Sequence, residues 1–144
     1  MRARRWAIRL LLGGIIVQMA WATRAAAEPA AGRVKAEQFL TTLVAGEVGH
    51  AYNVLMSGSP WQANKPDSVE QLKQQTESML KRHGRLQSFQ LIKEEPFGDD
   101  IVRLVYVLKA DEQPWTFEFY FYLRAKDWSI ASVRFNDEFD ILRE

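Results

Sequence analysis

The chain has 144 residues, 47% of them hydrophobic and 12% aromatic, no cysteine, and a formal net charge of +1. Without cysteine there is no disulfide framework, no thiol nucleophile and no lipid anchor attached through sulfur, so a packed core alone must hold the fold. Charge is unevenly placed: residues 28–144 hold all 18 acidic residues and 14 of the 19 basic ones, a net −4, and a mildly acidic body argues against nucleic acid as a partner.

The first nine residues carry Arg2, Arg4, Arg5 and Arg9 and no acid. Leu10 to Ala22 is a short apolar run, and Ala25-Ala26-Ala27 supplies small residues. Basic, apolar, small is the order of a secretory signal peptide, here 1–27 with cleavage near Ala27. The apolar run is shorter than the roughly 20 residues of a membrane span. An uncleaved anchor, and a twin-arginine signal suggested by Arg4-Arg5, are the alternatives. The expected location is periplasmic or secreted, with membrane contact only through an uncleaved leader. The remaining 117 residues, 28–144, read as a single α+β domain, a size that buries about two-thirds of its unfolded surface.

Glu28 to Gly32 reads as a linker. From Arg33 to Ala45, Ala36, Phe39, Leu40, Leu43 and Val44 recur at helix spacing, and Gly46 is a stop signal. Val48, Ala51, Tyr52 and Leu55 predict a second helix, closed by Ser57-Gly58-Ser59-Pro60. Trp61 to Lys65 reads as a loop. Asp67 followed by Glu70 has the form of a capping box. The third helix then runs to His83 on a stripe of Val69, Leu72, Thr76, Met79, Leu80 and His83, with Gly84 as its stop.

Residues 86–95 read as a first strand with Phe89 and Leu91 inward, and 96–100 as a turn. Side chains alternate along a strand. Val102, Leu104, Tyr106 and Leu108 therefore share one face of the second strand, and Ile101, Arg103, Val105, Val107 and Lys109 the other. Asp111 to Pro114 supplies a turn. In the third strand Trp115, Phe117, Phe119, Phe121 and Leu123 form a core face; Thr116, Glu118, Tyr120, Tyr122 and Arg124 look away. A three-residue loop, Ala125-Lys126-Asp127, would set Arg124 against Trp128, Phe117 against Phe135, Phe119 against Val133 and Phe121 against Ala131. On the opposite face it pairs Glu118 with Arg134 and Tyr122 with Ile130. The tail after Asn136 is anchored by Phe139, Ile141 and Leu142.

Three N-terminal helices followed by a curved four-stranded antiparallel sheet resembles the nuclear-transport-factor-two-like fold, also called SnoaL-like. Ala36-Glu37-Gln38-Phe39-Leu40 with Gly46 and Tyr52 is similar to the opening helices of its small exported members, and Trp115 to Tyr120 followed by Trp128-Ser129-Ile130 to their closing strands. The resemblance implies a cone that often holds an apolar pocket and a sheet whose outer face often forms a dimer. Most exported members are of unknown function. Enzymes on this scaffold, ketosteroid isomerases and scytalone dehydratases among them, need an acid or base inside the cone. A cystatin-like layer is the rival architecture, and fold alone does not carry function.

On this parity the inward polar groups are Tyr52, Thr76, His83, Tyr106, Ser129 and, at the mouth, Asp137. With Trp61 near the opening, the ligand-lining candidates are Tyr52, Trp61, Thr76, His83, Tyr106 and Asp137. No carboxylate sits mid-strand on the inner face, so a general base would have to be Asp137 or His83; His83 equally suits the last turn of a helix, where a cation meets the helix dipole favourably. The sequence implies no cofactor, and two distant histidines make no metal site. The outer face is rich in apolar and aromatic residues, the composition of a partner surface. Its interface candidates are Arg103, Val105, Tyr120, Tyr122, Trp128 and Ile130. The expectation is an exported, non-catalytic module that binds a small apolar ligand or a protein, with a homodimer through the outer face; the chain's own tail is the competing cover. A cofactor-free lyase or isomerase and a structural envelope adaptor are the alternatives.

Overall fold

The computed structural model describes residues 30–144; the expected leader and its cleavage site lie outside the described residues. Helix α1 (Ala30–Val44) is followed by α2 (Val48–Met56), the four-residue α3 (Trp61–Asn64) and α4 (Pro66–His83). Four strands, β1 (Leu86–Phe97), β2 (Ile101–Ala110), β3 (Trp115–Arg124) and β4 (Asp127–Asn136), pair antiparallel in chain order. A 3₁₀ turn, Asp140–Arg143, closes the chain. The helices cover one face of the open sheet, as the α+β reading requires.

Local differences from expectation have local causes. The stretch read as a linker, Ala30 to Gly32, is the first turn of α1. Gly32 lies so close to β3 that a Cβ there would sit 3.3 Å from the Phe121 side chain. The loop expected at Trp61–Lys65 is mostly helix. Asp67 does not cap α4: Pro66 occupies the first helical position and Lys65 the cap, without a side-chain cap bond. Proline there lacks only an N–H that would be unpaired anyway, and Asp67 in the first turn still suits the helix dipole. Gly84 ends α4 at φ +82°, and a Cβ would come within 2.8 Å of Asp111.

The core is aromatic and one-sided. Trp115, Phe117, Phe119 and Phe121 are fully buried, together with Val102, Leu104, Tyr106 and Leu108 of β2. Phe39 of α1 stands edge-on to Phe117 at 5.4 Å and Phe119 at 5.6 Å, and to Tyr52 of α2 at 5.0 Å. Each such side chain contributes about 1.5–3 kcal/mol by leaving water. β2 and β3 pair Leu104 with Phe119 and Tyr106 with Phe117, so the inner faces of both strands coincide.

The β3–β4 register departs from the expected one halfway along. Phe117 opposes Phe135, Glu118 Arg134 and Phe119 Val133, as read. Beyond Tyr120 a bulge absorbs Ala131, so that Phe121 opposes Ile130, Tyr122 Ser129 and Leu123 Trp128. The loop contracts to Ala125-Lys126, both at positive φ (47° and 76°), the conformation that tight hairpins favour. Trp128 (7% exposed) and Ile130 (1%) therefore join the core. They are not outer-face residues, and Ser129 is not inward. Burying two large side chains outweighs the ladder hydrogen bond lost at a bulge.

The outer face is closed in part by the tail. Glu118, 1% exposed, accepts from Arg103 Nε at 2.6 Å and Arg134 Nε at 2.5 Å. Arg103, itself 4% exposed, also donates to Glu95 at 2.8 Å and to the Ile141 carbonyl at 3.2 Å. Arg134 further pairs with Glu144, and Asn136 with Asp140. Ile141 is buried, while Leu142 stays exposed. Arg103 and Val105, expected on a free surface, are thus enclosed within the chain. Removing one partner of a buried ion pair strands the other charge. Glu118→Ala is therefore expected to cost about 3–5 kcal/mol, measured as a drop in the urea midpoint with a near-unchanged slope.

Candidate functional site

The six ligand-lining candidates fall into two pairs and two single positions. Tyr52 and Thr76 meet inside the helical layer. The Tyr52 hydroxyl lies 2.8 Å from Thr76 Oγ1, which donates in turn to the Leu72 carbonyl at 2.8 Å. Burial pushes the Tyr52 phenol well above its usual range, against the opposing effect of the Thr76 hydrogen bond. Two buried hydroxyls so closed on one another satisfy the core and offer nothing to a ligand.

Tyr106 is fully buried, its ring in the core and its hydroxyl turned towards α1, where it donates weakly to Glu37 Oε1 at 3.5 Å. Burial, then the Glu37 charge, push this phenol up as well. Glu37 is also bonded to Arg33 at 2.8 Å, one helical turn away. Trp61 is half-buried on α3, with Lys65 Nζ 5.2 Å above its ring. It lines a shallow hollow of about 200 Å³ with Ser68, Gln71, Leu72 and Gln75.

His83 and Asp137 come together at the far end of the sheet. His83 is buried in the last turn of α4, and its Nε2 lies 2.8 Å from Asp137 Oδ2. Arg82 Nη1 is 3.6 Å from the same oxygen, and Gln113 donates to the Asp137 carbonyl at 3.1 Å. The hydrogen bond from His83 holds the Asp137 carboxyl below its ordinary value of 3.8, against the effect of partial burial. Register explains the meeting: Thr116 opposes Asn136, so the next position sets Asp137 beside Trp115, on the side α4 covers. The Trp115 indole N–H is buried there without a hydrogen-bond partner among the described residues.

Between these positions the interior is filled by Phe39, Tyr52, Leu104, Tyr106, Phe117 and Phe119, all fully buried. Open grooves lie on the surface. One, of about 580 Å³, runs between α1 and α2 past Val34, Glu37, Gln38, Thr41, Thr42 and Val54. Another, of about 600 Å³, runs between α4 and the end of β4. The polar part of its helix wall is Gln71, Gln74, Gln75, Ser78 and Arg82, with Met79 between them, and its strand wall is Phe135, Asn136 and Asp137. Sequence reading missed this wall, although its spacing of i, i+3, i+4, i+7 and i+11 is a helical stripe as regular as the apolar one. Ser59 was missed too; it is buried and donates to the Ile130 carbonyl at 3.3 Å.

Of the remaining interface candidates, Tyr122 is 42% exposed and Tyr120 half-buried. Register places Phe97, Ile101 and Tyr122 in one row across β1, β2 and β3. Phe97 and Ile101 are exposed as well, so the outer face carries an open aromatic strip next to the part the tail covers.

No protein-family model matches the sequence, and no curated protein matches it. Among solved structures the chain is similar to a proposed NTF2-like transpeptidase from Campylobacter jejuni. The TM-score is 0.53 at 12% identity, over 69% of this chain and 95% of that one. A DUF4783 family protein from Bacteroides uniformis aligns at 12% identity and a TM-score of 0.38, over 48% of this chain and 62% of that one, and adds nothing to the assignment. The first likeness, with helices packed on a four-stranded antiparallel open sheet, establishes an NTF2-like fold.

Since the Asp137 carboxyl is held low in the folded chain, its contribution to stability is complete above the ordinary carboxylate range. It is lost as pH falls through the lowered value. Asp137→Asn is expected to lower the denaturation midpoint at pH 7, and the gap to the parent should close as pH is taken below 3.8.

Proposed function

We propose that the protein is an exported, non-catalytic binding module of the cell envelope that works through the exposed strip of its outer sheet face, Phe97, Ile101, Tyr120 and Tyr122. The observation that carries this reading is the filled interior. Phe39, Phe117, Phe119 and Tyr106 occupy the volume a ligand would need, and the Tyr52 and Thr76 hydroxyls are bonded internally. A small apolar ligand would have to use the surface groove between α1 and α2, so a protein partner is the reading adopted. The leader-like first 27 residues support the location.

The partner we infer is a second copy. The β1–β2 turn carries Asp99 and Asp100, while the β3–β4 turn carries Arg124 and Lys126. The two turns adjoin, since Leu123 N–H donates to the Asp100 carbonyl at 2.7 Å. A two-fold axis along the strands between β2 and β3 would lay each acidic turn over the other copy's basic turn, with Tyr122 and Ile101 between them. Opposite charges at an interface set its register, and aromatic residues anchor it.

The transpeptidase description belongs to the Campylobacter jejuni protein. Transpeptidation by a thiol is excluded here by composition, and the buried Ser59 hydroxyl is committed to a backbone carbonyl. One observation favours a second reading, a cofactor-free lyase or isomerase: His83 and Asp137 form a hydrogen-bonded acid–base pair beside a groove. Native mass spectrometry of envelope-purified protein separates the two, because the enzyme reading expects a small molecule whose retention depends on His83.

For the adopted reading, light scattering at micromolar concentration is expected to give a dimer that Tyr122→Lys converts to a folded monomer with an unchanged far-UV circular dichroism spectrum and a melting temperature no longer dependent on concentration. A monomeric parent would remove the second-copy proposal.

A further inference from the structure

The groove between α4 and the end of β4 has chemistry that neither the core nor the outer face explains. β4 is an edge strand of the sheet, and an open edge is a template for another chain. Its first half is closed off. Lys35 Nζ donates to the Trp128 carbonyl at 2.5 Å, and Ser59 donates to that of Ile130. Past the bulge this protection stops. Ala131, Ser132 and Arg134 are exposed, and no helix or loop group among the described residues bonds the backbone of 131–135.

Across the groove from the end of this uncapped half, at Phe135 and Asn136, stands the stripe of Gln71, Gln74, Gln75 and Ser78 along two turns of α4, all exposed. Each amide both donates and accepts, which is the hydrogen-bonding pattern of a peptide backbone. Among the groove's lining residues the only charges are Arg82 and Asp137, 3.6 Å apart and mutually compensated. Such walls select neither a strongly charged nor a wholly apolar ligand. Phe135 lines the groove as its one aromatic contact. Uncapped backbone on one side, amides on the other and a half-buried ring between them match an extended neutral polypeptide, whose alternate residues face the two walls.

We propose that this groove binds an extended polypeptide segment of a partner protein, added as a fifth strand along residues 131–136. The outward backbone of β4 supplies the ladder. The α4 amides bond the segment's side chains and its remaining carbonyls, and Phe135 takes one apolar side chain. Capping the first half of the edge with Lys35 and Ser59 limits the added strand to about six residues and fixes where it starts. This site is separate from the outer-face strip, so either can fail without the other.

The probe is a phage-displayed library of random dodecapeptides selected on the purified protein, with the winning peptide resynthesised and its affinity measured by fluorescence anisotropy. Gln71→Ala/Gln75→Ala changes two exposed helix positions and leaves the fold intact; it is expected to weaken binding at least tenfold. N-methylation of alternate peptide amides tests strand addition without touching the protein. One alternate set should abolish binding and the other should leave it within threefold. Amide NMR shifts on addition of the peptide should centre on 131–136. Three results overturn the proposal: no peptide is selected, both N-methylated sets bind like the parent peptide, or the double variant binds unchanged. A dimer lost on Ser132→Pro and retained on Tyr122→Lys would also overturn it, because a second copy would then occupy the edge.

Discussion

The carboxylate of Glu118 decides how the outer side of the sheet is finished. A charge so enclosed is tolerable only when its lone pairs are fully committed, and Arg103 and Arg134 commit them from the neighbouring strands. Arg103 is enclosed in turn and needs Glu95 and the Ile141 carbonyl to use its remaining donors. The demand is thus passed outward along the face until it reaches the last residues of the chain. The terminal 3₁₀ turn is part of the architecture because the buried ion pair requires a cover, and Ile141 provides the apolar underside of that cover.

What the sequence revealed and what it withheld divide along physical lines. The alternation in β3 is unbroken from Trp115 to Leu123, so the inner face was legible from periodicity alone. So was the pairing of Glu118 with Arg134, because any slip would bury a charge against a ring. The bulge at Ala131 was not legible. It depends on whether Trp128 and Ile130 gain more by burial than the ladder loses, a question settled across the sheet and not within the strand. The turn was hidden because Ala125 and Lys126 hold positive φ without the glycine or asparagine that normally announces it. His83 and Asp137 could each be named, but their contact spans 54 positions and needs the register to be known first. The amide stripe of α4 is hidden because polar residues at helical spacing also make an ordinary solvated face.

The interior of this NTF2-like scaffold is filled by its own side chains. Its polar interior atoms are mostly paired with one another, and its grooves lie between elements at the periphery. The His83–Asp137 pair fits the same description. It fastens the end of α4 to the residue just past the end of β4, and Arg82 and Gln113 reinforce it. Such a clasp sets the distance between α4 and β4 and so the width of the groove they line.

The strand order has a kinetic corollary. Each strand pairs with the one before it in the chain, so the sheet can zip up hairpin by hairpin, with little loop entropy to overcome at any step. Among the contacts that bridge the most distant parts of the sequence are those of α1 with β4, through Lys35 and the Asp127–Trp128 corner. A chain emerging from its amino end can seat α1 on α2 and β3 early, but the Lys35 contacts form only when the last strand arrives.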